Sequence, residues 1–168
     1  MFRTTASLRT AITGAALVVA ALSGPQAVAA DKPELRIADN ASPSARAFAG
    51  ENTAAVSAAA TVCGSGYAFR NAVALPSATN RLGTLFVYEK GSSGCAIMDN
   101  NTSGAKYMYL KICKVGGTSC DTDSGNFSSY AGPVYVNSFA CAPVTAKMGT
   151  SSSSLYFTYT SERLFPCG

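Results

Sequence analysis

The sequence predicts an all-β fold: a small, disulfide-linked antiparallel β-sandwich or barrel of about seven strands. Short apolar and aromatic runs, separated by Gly, Ser, Pro and Asn, recur from residue 63 onward. Apolar residues make up 48% and charged residues 13% of the 168 residues, a composition typical of strand-rich extracellular domains. Six cysteines, an even number, favour a disulfide framework. The length fits one domain of ordinary size.

The first thirty residues have the pattern of a signal peptide. Arg3 and Arg9 form a positive region, and residues 15–22 form an unbroken apolar core. Small residues follow, so we expect cleavage after Ala29 or Ala30. A retained membrane anchor needs about 20 consecutive apolar residues, and polar residues and glycines interrupt this stretch on both sides. The sequence therefore predicts export and no membrane span after cleavage.

Residues 31–60 are predicted to be a linker or pro-segment that precedes the secreted β domain at 61–168. They are rich in Ala and aperiodic, with Phe48 as the single aromatic residue. The alternative is a short helix over 51–60 that packs on the domain edge. The linker is favoured because isolated helices of this length are marginal even when rich in Ala.

The predicted strands form short runs bounded by turn signals. Their ranges are 67–75, 84–89, 95–99, 106–113, 133–137, 143–148 and 155–160. Regular spacing of this kind is typical of a sandwich or a barrel. In the strand 106–113, Met108 and Leu110 belong to the apolar face, whereas Tyr107, Tyr109 and Lys111 form an amphipathic face that we expect at the surface.

The strongest local signal is a hairpin over residues 82–100, in which two apolar runs flank a Gly/Ser loop. We expect Lys90 to lie opposite Cys95. Alternation then places two apolar sets on opposite faces: Phe86, Tyr88, Cys95 and Ile97 on one, and Leu85, Val87, Ala96 and Met98 on the other. A hairpin that is apolar on both faces must be covered on both sides.

The six cysteines, Cys63, Cys95, Cys113, Cys120, Cys141 and Cys167, allow 15 sets of three disulfides. Cys113 and Cys120 bracket a short Gly-containing loop and are expected to bond to each other. Neighbour order then favours Cys63 with Cys95 and Cys141 with Cys167. A zinc site would need paired Cys-x-x-Cys spacings, which do not occur.

The residue inventory excludes several classes of function. The sequence contains no His, which excludes Ser-His-Asp and Cys-His nucleophile systems and every His-containing metal site. We therefore predict no enzyme, no catalytic residues, no cofactor and no metal site. Without Arg3 and Arg9, eleven basic residues face nine acidic ones, a net charge of +2. The cations are scattered rather than clustered, so nucleic acid is not an expected partner.

Two patterns of carboxylate residues suggest a calcium loop and a glycosidase site, but neither pattern is complete. The segment 121–126 resembles half of a calcium loop but lacks the later bidentate Glu, and polar turn residues explain it equally well. A glycosidase needs two carboxylates about 5 to 9.5 Å apart. Glu89 and Asp99 fall on opposite faces of the predicted hairpin and do not provide that pair.

Tyrosine rings on a flat strand face could stack on sugars. Tyr107, Tyr109 and Tyr156 are the candidate ligand-stacking residues. The alternative is ordinary strand packing, since Tyr is common in strands.

With these residues in view, the chain resembles the spore-associated protein A family, small secreted proteins of actinomycetes. The resemblance covers residues 63 to about 141 and the terminal Cys167-Gly168. It rests on these blocks: Cys63-Gly64-Ser65-Gly66-Tyr67, Leu82-Gly83-Thr84, Cys95, Asp123-Ser124-Gly125 and Tyr130-Ala131-Gly132-Pro133-Val134-Tyr135. Cys113 and Cys120 look like an addition to the family pattern. The resemblance implies a location at the spore or cell surface and supplies no catalytic residues.

We therefore expect a secreted, non-catalytic protein that associates with spore-surface or cell-wall components. Two alternatives stay open. One is a carbohydrate-binding module of the cell wall. The other is a small secreted protease inhibitor that presents the loop between Cys113 and Cys120.

Overall fold

The computed structural model describes residues 35–167, which form two antiparallel four-stranded sheets and two short helices. The helices are α1 (Pro43–Glu51) and α2 (Thr53–Cys63). The strands are β1 (Ala68–Pro76), β2 (Arg81–Lys90), β3 (Ser93–Asn100), β4 (Lys106–Cys113), β5 (Cys120–Phe127), β6 (Tyr130–Asn137), β7 (Val144–Ser151) and β8 (Ser154–Ser161). The predicted signal peptide lies outside the described residues.

The two sheets stack as a sandwich. One sheet has the order β1-β2-β3-β6, and the other has the order β5-β4-β7-β8. We call the first the helix-covered sheet and the second the open sheet. The all-β class is confirmed, and of the two expected architectures the structure has the sandwich. Within residues 35–167, neither helix is long and apolar enough to cross a membrane.

The β2–β3 hairpin separates two hydrophobic cores, as the sequence predicts. Phe86, Tyr88, Cys95 and Ile97 pack toward the helices, whereas Leu85, Val87, Ala96 and Met98 pack between the sheets. The register differs by two residues, because Tyr88 rather than Lys90 lies opposite Cys95 and the loop is shorter. A shift of two preserves the side-chain alternation, so both faces keep their predicted residues.

Most of residues 35–60, the described part of the expected linker, lie in α1 and α2 and pack on the sheet, and α2 agrees with the alternative of a short helix at the domain edge. Ser42 caps α1 by accepting a hydrogen bond from the N–H of Ala45, and Pro43 occupies the first turn. Ala49 and Val56 are fully buried against the sheet. Small side chains let the helices approach closely, and the Tyr88 hydroxyl donates to the carbonyl of Val56 at 2.7 Å. Tertiary burial stabilises helices that would be marginal in isolation.

Strand β5 has no counterpart among the seven predicted strands. Its sequence, Cys-Asp-Thr-Asp-Ser-Gly-Asn-Phe, has the composition of a turn. It nevertheless pairs with β4 along its whole length, from Cys113 opposite Cys120 to Lys106 opposite Phe127. It forms an edge of the open sheet, where polar side chains remain solvated.

Three disulfides join Cys63 to Cys95, Cys113 to Cys120 and Cys141 to Cys167, the pairs that the sequence predicts. The first anchors the end of α2 to β3. The second closes the β4–β5 hairpin at its turn. The third ties the C-terminal segment to the stretch between β6 and β7.

Candidate functional site

Among residues 35–167, no helix or sheet covers the outer side of the open sheet. We define the open face as the outward side chains of this sheet: Tyr107, Tyr109 and Lys111 of β4; Thr122, Ser124 and Asn126 of β5; Thr145 and Lys147 of β7; Tyr156, Thr158 and Thr160 of β8. Alternation produces it, because the intervening residues, such as Leu110 and Met148, are fully buried between the sheets. The members from β5 and β8 are exposed, and those from β4 and β7 are half-buried.

Tyr109 and Lys147 form the centre of the open face. They lie directly opposite each other on β4 and β7. The ammonium nitrogen of Lys147 lies 5.0 Å from the centroid of the Tyr109 ring, a distance at which a cation is attracted to the aromatic face. Tyr109 therefore positions a cation, and that ring face is less free to stack on a sugar.

The other two candidate tyrosines flank Gly149 of β7. Tyr107 lies opposite Gly149, and Gly149 lies opposite Leu155. Tyr156, the extra residue at an irregularity in the β7–β8 pairing, is 45% exposed. Gly149 has no side chain to place between the two tyrosines. A Cβ at this position would collide with the carbonyl oxygen of Ser154.

The carboxylates of β5 point away from the open face and bind the backbone of β6. The N–H of Gly132 donates to Asp123 Oδ2 at 2.7 Å, and the N–H of Tyr135 donates to Asp121 Oδ2 at 2.8 Å. These N–H groups belong to the edge strand of the helix-covered sheet, so the two carboxylates join one sheet to the other. We call this pair of contacts the clasp.

The clasp requires a glycine at position 132 because of the backbone conformation and close packing there. Its φ is +103°, and an added Cβ would lie 2.9 Å from the carbonyl oxygen of Ala96. The segment 121–126 is thus a strand, and both of its carboxylates accept hydrogen bonds from the backbone of β6. Among residues 35–167, no three Asp, Glu, Cys or His side chains come together as metal ligands.

Glu89 and Asp99 lie at opposite ends of the β2–β3 hairpin. Asp99 pairs opposite Thr84, five residues along β2 from Glu89, a separation of about 16 Å along the strand. This exceeds the spacing that glycosidases use. Burial raises the pKa of Asp99 to about 6, and the nearby Arg81 opposes that rise.

A second surface feature, which the sequence analysis did not single out as a site, surrounds Tyr67 and Tyr135. Their ring centroids lie 6.1 Å apart, and the Tyr135 hydroxyl donates to the carbonyl of Cys63 at 3.2 Å. The Lys90 ammonium lies 5.9 Å from the Tyr67 ring and donates to the carbonyl of Ser65. Beside Tyr67, the end of α2 borders a groove of about 210 Å³. Both tyrosines occur in the sequence blocks on which the family resemblance rests. That resemblance is the sequence feature that could have identified this surface.

The loop between Cys113 and Cys120 is a tight turn. The N–H of Lys114 donates to the carbonyl of Ser119 at 2.8 Å, and the N–H of Gly117 donates to the carbonyl of Lys114 at 2.9 Å. Val115, at its tip, is 63% exposed. The loop therefore presents one apolar side chain, but no extended segment that could add to the edge of another protein's sheet.

Comparison with known proteins gives one partial likeness. Over 79 residues, the chain is 34% identical to spore-associated protein A of Streptomyces coelicolor; the match covers 45% of this chain and 49% of that protein. The chain thus spans about half the length of the relative that it matches. No family model matches the sequence. No solved structure matches it either.

Proposed function

We propose that this is a secreted, non-catalytic protein that associates with the spore or cell surface through its open face. The observation that carries the proposal is the asymmetry of the sandwich. Helices cover the outer side of one sheet, whereas the outer side of the other presents tyrosines, lysines, threonines and no carboxylate within its four described strands.

Two further observations support this proposal. Three disulfides fit an oxidising, extracellular environment. The partial likeness to a protein named for its association with spores points to the same location.

Carbohydrate binding is a second candidate for the mode of association. Tyr107 and Tyr156 favour it, because both belong to the open face and no cation lies over either ring among the described contacts. A flat, strand-borne tyrosine surface suits a polysaccharide chain better than a small ligand, which prefers a concave pocket.

The test is retention of purified protein on washed spores and on purified cell walls. We expect the wild type to sediment with at least one of them. A Tyr107→Ala, Tyr109→Ala variant should lose most of that binding, because it removes both rings of β4 from the open face. The control is Tyr130→Ala, which removes an exposed ring (38%) from the helix-covered sheet.

Circular dichroism and the melting temperature establish that the variants are folded. Equal retention of wild type and the double tyrosine variant would contradict the assignment of the open face. If the wild type is not retained on either material, the proposed association itself fails.

A further inference from the structure

The charges of the open sheet are segregated between its two sides. Its four strands contain five charged residues, of which Asp121 and Asp123 are engaged in the clasp and Lys106 lies at the first position of β4. Lys111 and Lys147 remain on the open face. Within the four described strands, this face therefore carries two positive charges and no carboxylate.

The two lysines are arranged as neighbours. Lys111 lies opposite Thr145, and Lys147 lies opposite Tyr109, so they occupy a diagonal pair of positions on β4 and β7. Diagonal positions of this kind are about 7 to 8 Å apart. The Tyr109 ring holds the Lys147 ammonium at the face instead of leaving it to extend freely into solvent.

Hydroxyl groups surround the two cations. Thr145 pairs with Thr160, and their side-chain oxygens lie 3.2 Å apart; Thr158 lies opposite Lys147. On the other side, Ser124 lies opposite Tyr109 and Thr122 opposite Lys111. The open face contains no arginine, the residue that suits bidentate recognition of planar anions. Its cations are lysines, which act as point charges and commonly bind phosphate.

We infer that the open face binds a phosphodiester-linked polymer of the cell or spore surface, with Lys111 and Lys147 contacting successive phosphates. This inference rests on the proposed function and specifies its ligand. The hydroxyls and Tyr107 then contact the uncharged units between the phosphates. Two cations at neighbouring strand positions favour a repeating anion over an isolated one, because two contacts on one chain raise the effective concentration of the second.

The experiment measures binding of the folded protein to purified cell walls, before and after chemical removal of their phosphodiester polymers with cold hydrofluoric acid. Soluble poly(glycerol phosphate), polygalacturonate at equal charge concentration, and dextran serve as competitors. Lys147→Gln and Lys111→Gln are compared with Arg36→Gln, which removes one exposed cation beside β1 of the other sheet. Melting temperatures confirm that each variant is folded.

We expect removal of the phosphodiester polymers to abolish most binding, and poly(glycerol phosphate) to displace the protein far more effectively than the other two polymers. Each lysine variant should bind about fivefold more weakly, the usual effect of one lysine at an anionic surface. The control variant should bind like the wild type. Raising salt from 50 to 200 mM should weaken binding by roughly seven- to twelvefold, the effect of two phosphate contacts.

Other outcomes overturn the inference. Undiminished binding to the acid-treated walls, or displacement by dextran, would leave the proposed association standing and assign a neutral glycan as the ligand. Equal displacement by polygalacturonate would reject phosphate in favour of any polyanion. If the protein does not bind even untreated walls or washed spores, the proposed function fails first.

Discussion

At the scale of single residues, Asp123 joins the two sheets. Its carboxylate accepts a hydrogen bond from the Gly132 N–H at 2.7 Å, in a partly buried position. A hydrogen bond to a charged group contributes about 1.5 to 3 kcal/mol. Asp123→Ala should therefore lower the free energy of unfolding by about that amount, measured by chemical denaturation. Association with walls should be preserved, since Asp123 does not belong to the open face.

The control for this variant is Ser124→Ala, the exposed neighbour on the same strand, which should change the free energy of unfolding by less than about 0.5 kcal/mol. An Asp123 variant as stable as the wild type would show that the clasp does not hold the sheets together. Loss of wall binding in a folded Asp123 variant would instead place this carboxylate in the binding surface.

The residue types of 121–126 also explain why the sequence alone missed β5. Asp, Thr, Ser, Gly and Asn favour turns because their side chains hydrogen-bond locally. In the structure, Asp121 and Asp123 hydrogen-bond across to β6 instead, and β4 supplies the backbone partners. These hydrogen-bond partners can be identified only from the tertiary structure. By contrast, Tyr107 and Tyr109 could be assigned to a surface face directly, because they alternate with the apolar residues of β4.

At the scale of elements, the disulfides should differ in their contributions to stability. Cys63–Cys95 closes a separation of 32 residues and Cys113–Cys120 one of 7. Loop-closure entropy predicts about 3.5 to 4 kcal/mol for the first and about 2 to 2.5 for the second. A Cys113→Ser, Cys120→Ser variant should remain folded with a lower Tm. A Cys63→Ser, Cys95→Ser variant should be secreted poorly, since it also detaches α2 from the hairpin.

Thermal unfolding and secretion yield measure both effects. If the variant lacking Cys113–Cys120 failed to fold while the variant lacking Cys63–Cys95 folded normally, the ordering would be reversed. The organising cross-link would then lie in the β4–β5 turn.

The β2–β3 hairpin and the two helices show what can be predicted from the hydrophobic pattern of the sequence. The faces of the β2–β3 hairpin can be assigned from sequence because Leu85, Phe86, Val87 and Tyr88 are large apolar or aromatic residues, and alternation along a strand places each of them on one face. From the sequence, a helix over 51–60 is only the alternative to a linker and no helix is predicted at α1, because alanine contributes little to an amphipathic pattern. Ala45 and Ala49 are nevertheless buried, at 2% and 0% exposure. The apolar helix-facing side of the hairpin required a cover, and the N-terminal helices provide it.

At the scale of the whole molecule, the helices cover the outer side of one sheet, and no described residue outside the open sheet covers the other. The sequence accounts for the fold class, the disulfide pairs and the two-faced hairpin. It could not show that the β5 carboxylates turn away from the open face, or that Tyr109 engages Lys147, because both depend on pairings between distant strands. The candidate site therefore emerges only when β4, β5, β7 and β8 lie side by side.

The most direct test of the open face is chemical footprinting of lysines in the surface-bound protein. Free and wall-bound protein are acetylated briefly, released, digested and compared by mass spectrometry. We expect Lys111 and Lys147 to lose most of their reactivity on binding, whereas Lys90 of the helix-covered sheet should react equally in both states. Protection of Lys90 with full reactivity of Lys111 and Lys147 would contradict this expectation, and would move the contact surface to the Tyr67–Tyr135 side of the molecule.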